Sequence, residues 1–439
     1  MHIGIVGGGL MGMALAYFMV EAGQQVTVLE QSADLGGLSG QIEFEGGLKV
    51  ARYQHAILPH DDMTRRLCAE MGLANELTFS GVRTGFIHDN HIYSMSTLRD
   101  FLSFNPLTLV SRLRLGIALL QARNKHNWHT LDQIPVKSWL VEVSGTETFE
   151  HLWRPLLETK FDGLYDTVPA TYIWAWLNRM FGIRRPPQFR SRVGYLRRGH
   201  YALIQALAEA ITQRGGHIET QVRVREIVVS NGQLQQVRTL SGLAEFDVLV
   251  AAIATPSFAR LIPGADNTYL ERLAQERYLG LICPVMILDK PLSPYWTLNV
   301  IDPNSPFSTI IETPHQEQPN YHVVYLPRYT ASDNDWLGVS DDDIRAAWLG
   351  HLSEIFPDFD QQNIQHFAVS RSRYVESIYS IHAAATAVPV PTPYQGLYLA
   401  NTGQVYPELP TSEAVIAHAR QVAKMICASQ TTPKVNVPA

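Results

Sequence analysis

The stretch His2–Gly37, HIGIVGGGLMGMALAYFMVEAGQQVTVLEQSADLGG, leaves little freedom in how this chain begins to fold. Ile3–Val6 is a short apolar run, suited to a parallel strand buried on both faces. Gly7, Gly9 and Gly12 follow at Gly-x-Gly-x-x-Gly spacing. Leu10–Ala22 continues as a mostly apolar helix ending at Gly23, and Gln25–Leu29 reads as a second strand with Glu30 at its end. The first glycine permits the tight turn, the second lets a pyrophosphate approach the backbone, and the third lets helix and strand pack closely. The unpaired N–H groups of Leu10, Met11 and Gly12, with the partial positive charge at the helix start, suit phosphate. Glu30 is placed to accept hydrogen bonds from two ribose hydroxyls. Because strand, helix, second strand and acid occur in register, a dinucleotide site is expected rather than an incidental glycine turn.

After Glu30 the chain reads Gln31-Ser32-Ala33-Asp34-Leu35-Gly36-Gly37-Leu38-Ser39-Gly40. This resembles the extended fingerprint of FAD-binding oxidoreductases: an acid, a short loop, then Gly-Gly near the diphosphate. The wider group contains flavin-containing amine oxidases, phytoene desaturases and protoporphyrinogen oxidases. The resemblance implies FAD as cofactor, with Gln31, Gly36, Gly37 and Leu38 beside it. Many members have an arginine directly after the Gly-Gly pair, where this chain has Leu38.

The implied fold is α/β, a Rossmann-like FAD-binding domain with an inserted α+β substrate domain. At 439 residues the chain exceeds one ordinary core. The FAD-binding domain is expected to be assembled from residues 1–57, 195–263 and 394–427. The substrate domain is expected from 58–194 and 264–393, with a frayed tail over 428–439. A net charge of −6 gives no electrostatic case for nucleic acid. Cys68, Cys283 and Cys427 are scattered, with neither metal-ligand spacing nor a disulfide framework, which suits a reducing, cytoplasmic setting. No signal peptide and no spanning helix are expected.

Past Gly40, a small hairpin is expected from Gln41–Phe44 and Leu48–Val50 around Glu45-Gly46-Gly47. Arg52-Tyr53-Gln54-His55-Ala56-Ile57 corresponds to the segment that runs beside the flavin ring in this group. His55 resembles the histidine of a Gly-x-His-x-Phe stretch in UDP-galactopyranose mutases, which share the FAD fold; the bland alternative is a histidine satisfied within a domain interface. Asn105-Pro106 reads as a helix start, followed by a helix over Leu107–Ala122 with several leucines and arginines. Such a helix can lie on a membrane surface; covering a core is the commoner outcome and the expectation here.

Trp153–Gly163 resembles the aromatic, proline and glycine run that precedes the substrate-domain helices in protoporphyrinogen oxidases and phytoene desaturases. Tyr172, Trp174, Trp176, Phe181, Arg184 and Arg185 follow, a density read as cavity wall or core. In the family the later blocks return to FAD: the strand around Val222 lies against the adenine, and the strand through Ala252 ends beside the cofactor. The strand Gly396–Ala400 ends in Asn401-Thr402 where the family has Gly-Asp on the ribityl chain. Asn401 is expected to substitute, since an amide also bonds a hydroxyl, and the helix from Thr411 is expected to aim its start at the flavin.

Dehydrogenation on FAD needs neither triad nor metal, and no metal site is expected. Many amine oxidases of the group carry a lysine on a substrate-domain strand. Here Lys290 alone lies near the expected strands, in the turn Asp289-Lys290-Pro291. The leading expectation is therefore oxidation of a mainly apolar small molecule at a C–C or C–N bond, with His55, Arg52 and Tyr53 lining the reacting end. Two other classes remain open, a non-redox mutase-like flavoenzyme and a non-catalytic FAD-binding protein.

Overall fold

The computed structural model describes residues 1–124, 127–182, 191–315, 317–318 and 320–429. The frame of the fold is a five-stranded sheet in which all neighbours run parallel, ordered Leu397–Leu399, Val248–Ala251, His2–Val6, Gln25–Leu29, His217–Glu219. Its strands come from three distant parts of the chain. Two layers cover it, which is why its strands read as continuous apolar runs. On one side lie the helices Leu10–Glu21, Tyr201–Gln213 and Ser412–Ser429, packed through Met13, Leu15, Met19, Leu203, Leu207 and Ile416. The first of these is buried nearly all round, as expected for a helix with no polar face. On the other side a meander of Val224–Ser230, Gln233–Thr239 and Leu243–Ala244 joins the helix Thr255–Leu261 through Ile227, Val237 and Phe258. Its Asn231-Gly232 turn has positive φ at both residues, the geometry that matches strand twist in a tight hairpin.

A second, eight-stranded sheet is built around Arg277–Leu288. That strand pairs antiparallel with Ile364–Ile378 along one edge and with His322–Tyr325 and Arg328–Ala331 along the other. The sheet is mixed rather than purely antiparallel: Thr297–Val300 runs parallel to Thr84–His88, a strand from the earlier segment. The helix Asp341–Ile355, capped by Ser340, covers one face with Trp348 wholly buried. The small hairpin Gln41–Glu43 with Lys49–Ala51 sits on the other, through Leu48, Val50 and Tyr53 against Cys283, Val285 and Tyr325.

Helices Leu109–Asn124, Val136–Ser144, Arg154–Phe161 and Thr171–Gly182 enclose a third core containing Trp139, Phe149, Trp153 and Phe161. The first of them begins two residues later than Asn105-Pro106 predicts. The Thr108 hydroxyl accepts from the Ser111 N–H at 3.3 Å, and the Glu147 carboxylate accepts from the Thr108 N–H at 2.8 Å, so a tertiary cap overrides the local one. Arg179 ties the last helix to buried Asp61 through two bonds of 2.8 and 3.0 Å. Arg184, Arg185, the Phe181 side chain and the tail beyond Ser429 lie outside the described residues. Among those described, no helix is long and apolar enough to cross a membrane.

Candidate active site and cofactor cradle

The glycine loop separates into three physical roles. Gly7 has φ of +110°, and a side chain there would lie 2.8 Å from the Ala252 carbonyl oxygen. A Cβ on Gly12 would fall 1.9 Å from the Gly7 carbonyl oxygen, so only glycine lets the helix cross the strand this closely. At Gly9 a Cβ would meet nothing nearer than the Gly36 oxygen at 3.9 Å. Space is therefore held open directly before the helix Leu10–Glu21, which has no side-chain cap and no acid in its first turn. Gly36 and Gly37, both with positive φ, dock on this loop; the Gly36 N–H donates to the Gly8 carbonyl at 2.8 Å. An open, uncapped helix start facing a glycine pair fits the diphosphate of FAD.

Glu30 is buried and held rigidly. One carboxylate oxygen accepts from the Gly8 N–H at 2.7 Å and the other from the Ser32 N–H at 2.8 Å. Each oxygen retains a lone pair for a ribose hydroxyl. Val222 donates its N–H to the Glu30 carbonyl at 2.8 Å, so that donor serves the acid's strand. Gln31 is exposed beside it. Ala252 closes the end of its strand, its N–H on the Val6 carbonyl at 2.8 Å.

Asn401 has both amide donors committed within the protein, while its oxygen accepts one bond and keeps a lone pair. Its amide donates to the Ile253 carbonyl at 3.1 Å and the Thr255 hydroxyl at 2.9 Å, and its oxygen accepts from the Gly403 N–H at 2.9 Å. Both donors are spent on capping a turn and tying it to the neighbouring strand end, so neither is left for a ribityl hydroxyl. The Thr402 carbonyl accepts from the Tyr379 hydroxyl at 3.0 Å. Thr411 precedes the helix Ser412–Ser429 and accepts from the Ala414 N–H at 3.4 Å.

His55 and His200 stack with ring centres 4.8 Å apart, on the wall of a cavity of about 250 Å3 that Gln54, Lys49, Tyr195 and Arg197 also line. His55 Nε2 lies 2.9 Å from the Leu38 carbonyl, which only accepts, so Nε2 carries the proton and Nδ1 the lone pair. Burial holds the His55 pKa below its ordinary value. Burial and the neighbouring His55 push that of His200 down to about 3. His200 Nε2 meets the Ser412 hydroxyl at 3.0 Å, joining this pair to the last helix. Arg52 and Tyr53 do not line this cavity. The Arg52 guanidinium stands against Gly40, and Tyr53 belongs to the core under the hairpin, its hydroxyl without a partner.

A second cavity, of about 350 Å3, lies among Trp153, Tyr172, Trp176 and Tyr329, with Leu409 and Thr411 at another wall. Trp176 lines it and Trp174 does not. Lys160 lies within it, its ammonium 2.5 Å from Glu376 and 3.5 Å from the centre of the Tyr329 ring. Burial alone lowers a lysine's pKa, but Glu376, Tyr172 and Tyr329 together carry this one above the ordinary value. This corrects the expectation that Lys290 alone lies near the strands, since Lys160 reaches one as well. Lys160, on the helix Arg154–Phe161, reaches Glu376 on the strand Ile364–Ile378 across 216 positions of sequence. The Trp153–Gly163 segment contained this residue, but no local pattern announces its partner.

The sequence profile described as flavin-containing amine oxidoreductase matches residues 10–425. The chain belongs to that family. It is 23% identical over 405 residues to a 15-cis-phytoene desaturase of Synechococcus elongatus, covering 84% of this chain and 81% of the relative. A protoporphyrinogen oxidase-like structure from Exiguobacterium superposes with a TM-score of 0.76 at 20% identity, over 98% of this chain and 99% of the other. Cyclohexylamine oxidase from Brevibacterium oxydans superposes at 0.70 with 16% identity, over 98% and 99%. The protein is an FAD-dependent oxidoreductase of the α/β class, and the cradle's open space and uncapped helix are consistent with that cofactor.

Proposed function

We propose that this flavoenzyme is cytoplasmic and dehydrogenates a mainly apolar small molecule at a C–C or C–N bond. The observation that carries the reading is the aromatic cavity, whose walls of Trp153, Tyr172, Trp176 and Tyr329 reach Thr411 at the start of the last helix. Such walls hold a substrate by burial, worth about 25 cal/mol per Å2 of apolar area, and leave orientation to a few polar groups. The Lys160–Glu376 pair is the charged feature in that wall. A desaturase and an amine oxidase both stand among the relatives, so both bond types belong to the proposal.

Bound FAD supplies the acceptor for the two electrons. In the proposed arrangement it is held by Gly7, Gly9, Gly36, Gly37, the N–H groups of Leu10, Met11 and Gly12, and Glu30, within a domain assembled from 1–57, 195–263 and 394–427. His55 lines the first cavity rather than the aromatic one and connects to it through His200 and Ser412, the residue after Thr411. In the proposed reaction it takes the proton that leaves the substrate, at Nδ1, because Nε2–H is committed to Leu38. Arg52 and Tyr53 support the hairpin rather than the reacting end.

The test is anaerobic titration of the FAD-loaded protein with a carotenoid hydrocarbon, a protoporphyrinogen and cyclohexylamine, following the flavin's visible absorption. Bleaching by one of them is expected, slowed about 100-fold or more in His55→Ala. A product with no net loss of electrons would replace this reading with a mutase-like one, and an unresponsive flavin throughout would overturn it.

A further inference from the structure

The helix Leu109–Asn124 turns its most apolar side outward. Leu109, Val110, Leu113, Ile117 and Leu120 are 54–76% exposed, whereas Ser111, Leu115 and Ala118 are buried. At about 100° per residue, the five exposed side chains fall within an arc of about 100°, and the three buried ones lie on the opposite side. Arg112 and Arg114 border the apolar arc on its two edges, both bonded to neutral carbonyls, of Leu102 and of Glu142, which leave their charge uncancelled. The preceding short helix adds exposed Leu98 and Leu102, and exposed Arg99. Across Leu98–Asn124 the sequence has Arg99, Arg112, Arg114 and Arg123 against the single acid Asp100, in a chain whose net charge is −6.

We propose that this face docks on an anionic lipid bilayer, with the leucine arc in the acyl boundary and the arginines at the headgroups. An apolar stripe edged by cations is the arrangement that lies in a membrane interface. The same local positive charge opposes pairing with a second copy, which would set arginines against arginines. The helix packs on Thr171–Gly182, whose Tyr172, Ile173 and Trp176 line the aromatic cavity. The docking face therefore lies one helix away from the proposed substrate site, a short path for an apolar molecule dissolved in lipid. That last link rests on the proposed function; the lipid contact does not.

The experiment is flotation of the full-length, FAD-loaded protein with vesicles of phosphatidylcholine alone and of phosphatidylcholine mixed with phosphatidylglycerol. Flotation with the phosphatidylglycerol vesicles is expected, weakening as salt is raised. Leu113→Glu/Ile117→Glu should weaken it about tenfold or more while the bound-flavin spectrum stays unchanged. Leu120→Ser is a milder, independent variant expected to act in the same direction. Failure of the wild type to float with either vesicle overturns the proposal, as does unaltered flotation of both variants. So does a concentration-dependent dimer, dissolved by the variants, in a protein that ignores vesicles. Because the readout is partition and not turnover, its failure leaves the proposed reaction standing, and the converse also holds.

Discussion

The nucleotide cradle and the helical cap over the aromatic cavity place their polar groups by opposite means. In the cradle the groups facing the ligand are backbone N–H donors and missing side chains, with Glu30 as the one carboxylate, itself pinned by two N–H groups. In the cap the buried polar groups are long side chains from remote parts of the chain, Lys160 on Glu376 and Arg179 on Asp61. A site made of backbone depends on local steric limits. A site made of side chains depends on which elements the fold brings together.

Substitution should expose that contrast most sharply at two glycines of one loop. Gly12→Ala forces a carbon onto the Gly7 carbonyl, where backbone would have to move; loss of the folded, FAD-loaded protein is expected, at a cost above about 4 kcal/mol. Gly9→Ala has room, and its φ of −74° suits any residue. Its FAD-free form should unfold within about 0.5 kcal/mol of the wild type, while flavin retention falls. Thermal unfolding with and without FAD checks both. Equal damage to the two apo-proteins would break the assignment of separate roles.

In the cap, Lys160→Met should cost about 3–5 kcal/mol, because it strands a buried carboxylate. Lys160→Met/Glu376→Leu should recover most of that loss in urea unfolding. If the double variant is as unstable as the single, the loss comes from packing rather than from the unpaired charge.

A smaller effect is expected at His200, which stacks on His55 and meets the last helix at Ser412. The unfolded chain protonates His200 near its ordinary value of about 6.5, whereas the folded state resists until about 3. Its neutral form is thus favoured by folding. The contribution is complete above the unfolded value and is lost as pH falls toward the folded one, about 2 kcal/mol by about pH 5. His200→Gln should flatten the stability curve between pH 7 and pH 5, measured by unfolding across that range at roughly half-unit steps. An unchanged slope would show that the histidine is hydrated in the folded protein. Smallest of all, Thr108→Ala should cost about 1 kcal/mol by removing the cap of the outward-facing helix, read as a shift in midpoint without change in slope.

Much of the cradle was legible in the amino-acid sequence because its causes are local. Glycine spacing, the apolar strand and the acid at Glu30 act within the first 37 residues, and the structure separates the glycines into the three roles that their spacing implies. The Asn231-Gly232 turn was legible for the same reason. Asn401 was not. Its identity permits a bond to a hydroxyl, but Ile253 and Thr255 take both its donors, from a strand end 146 or more positions earlier. Tyr53 failed similarly: adjacency to His55 suggested a shared wall, yet the bend that follows the hairpin packs Tyr53 into the core beneath it.

By itself, then, the sequence determined the βαβ start, the dinucleotide-type loop and the α/β class, since these follow from steric and periodic constraints acting over a few residues. Tertiary structure alone decided that Lys160 meets Glu376, that His55 stacks on His200, and that Leu109, Leu113, Ile117 and Leu120 of the helix Leu109–Asn124 face outward. The physical reason is the same in each case. A helical pattern states which residues share a face, but only the packed neighbours state which face is covered, and that helix had apolar residues enough for two.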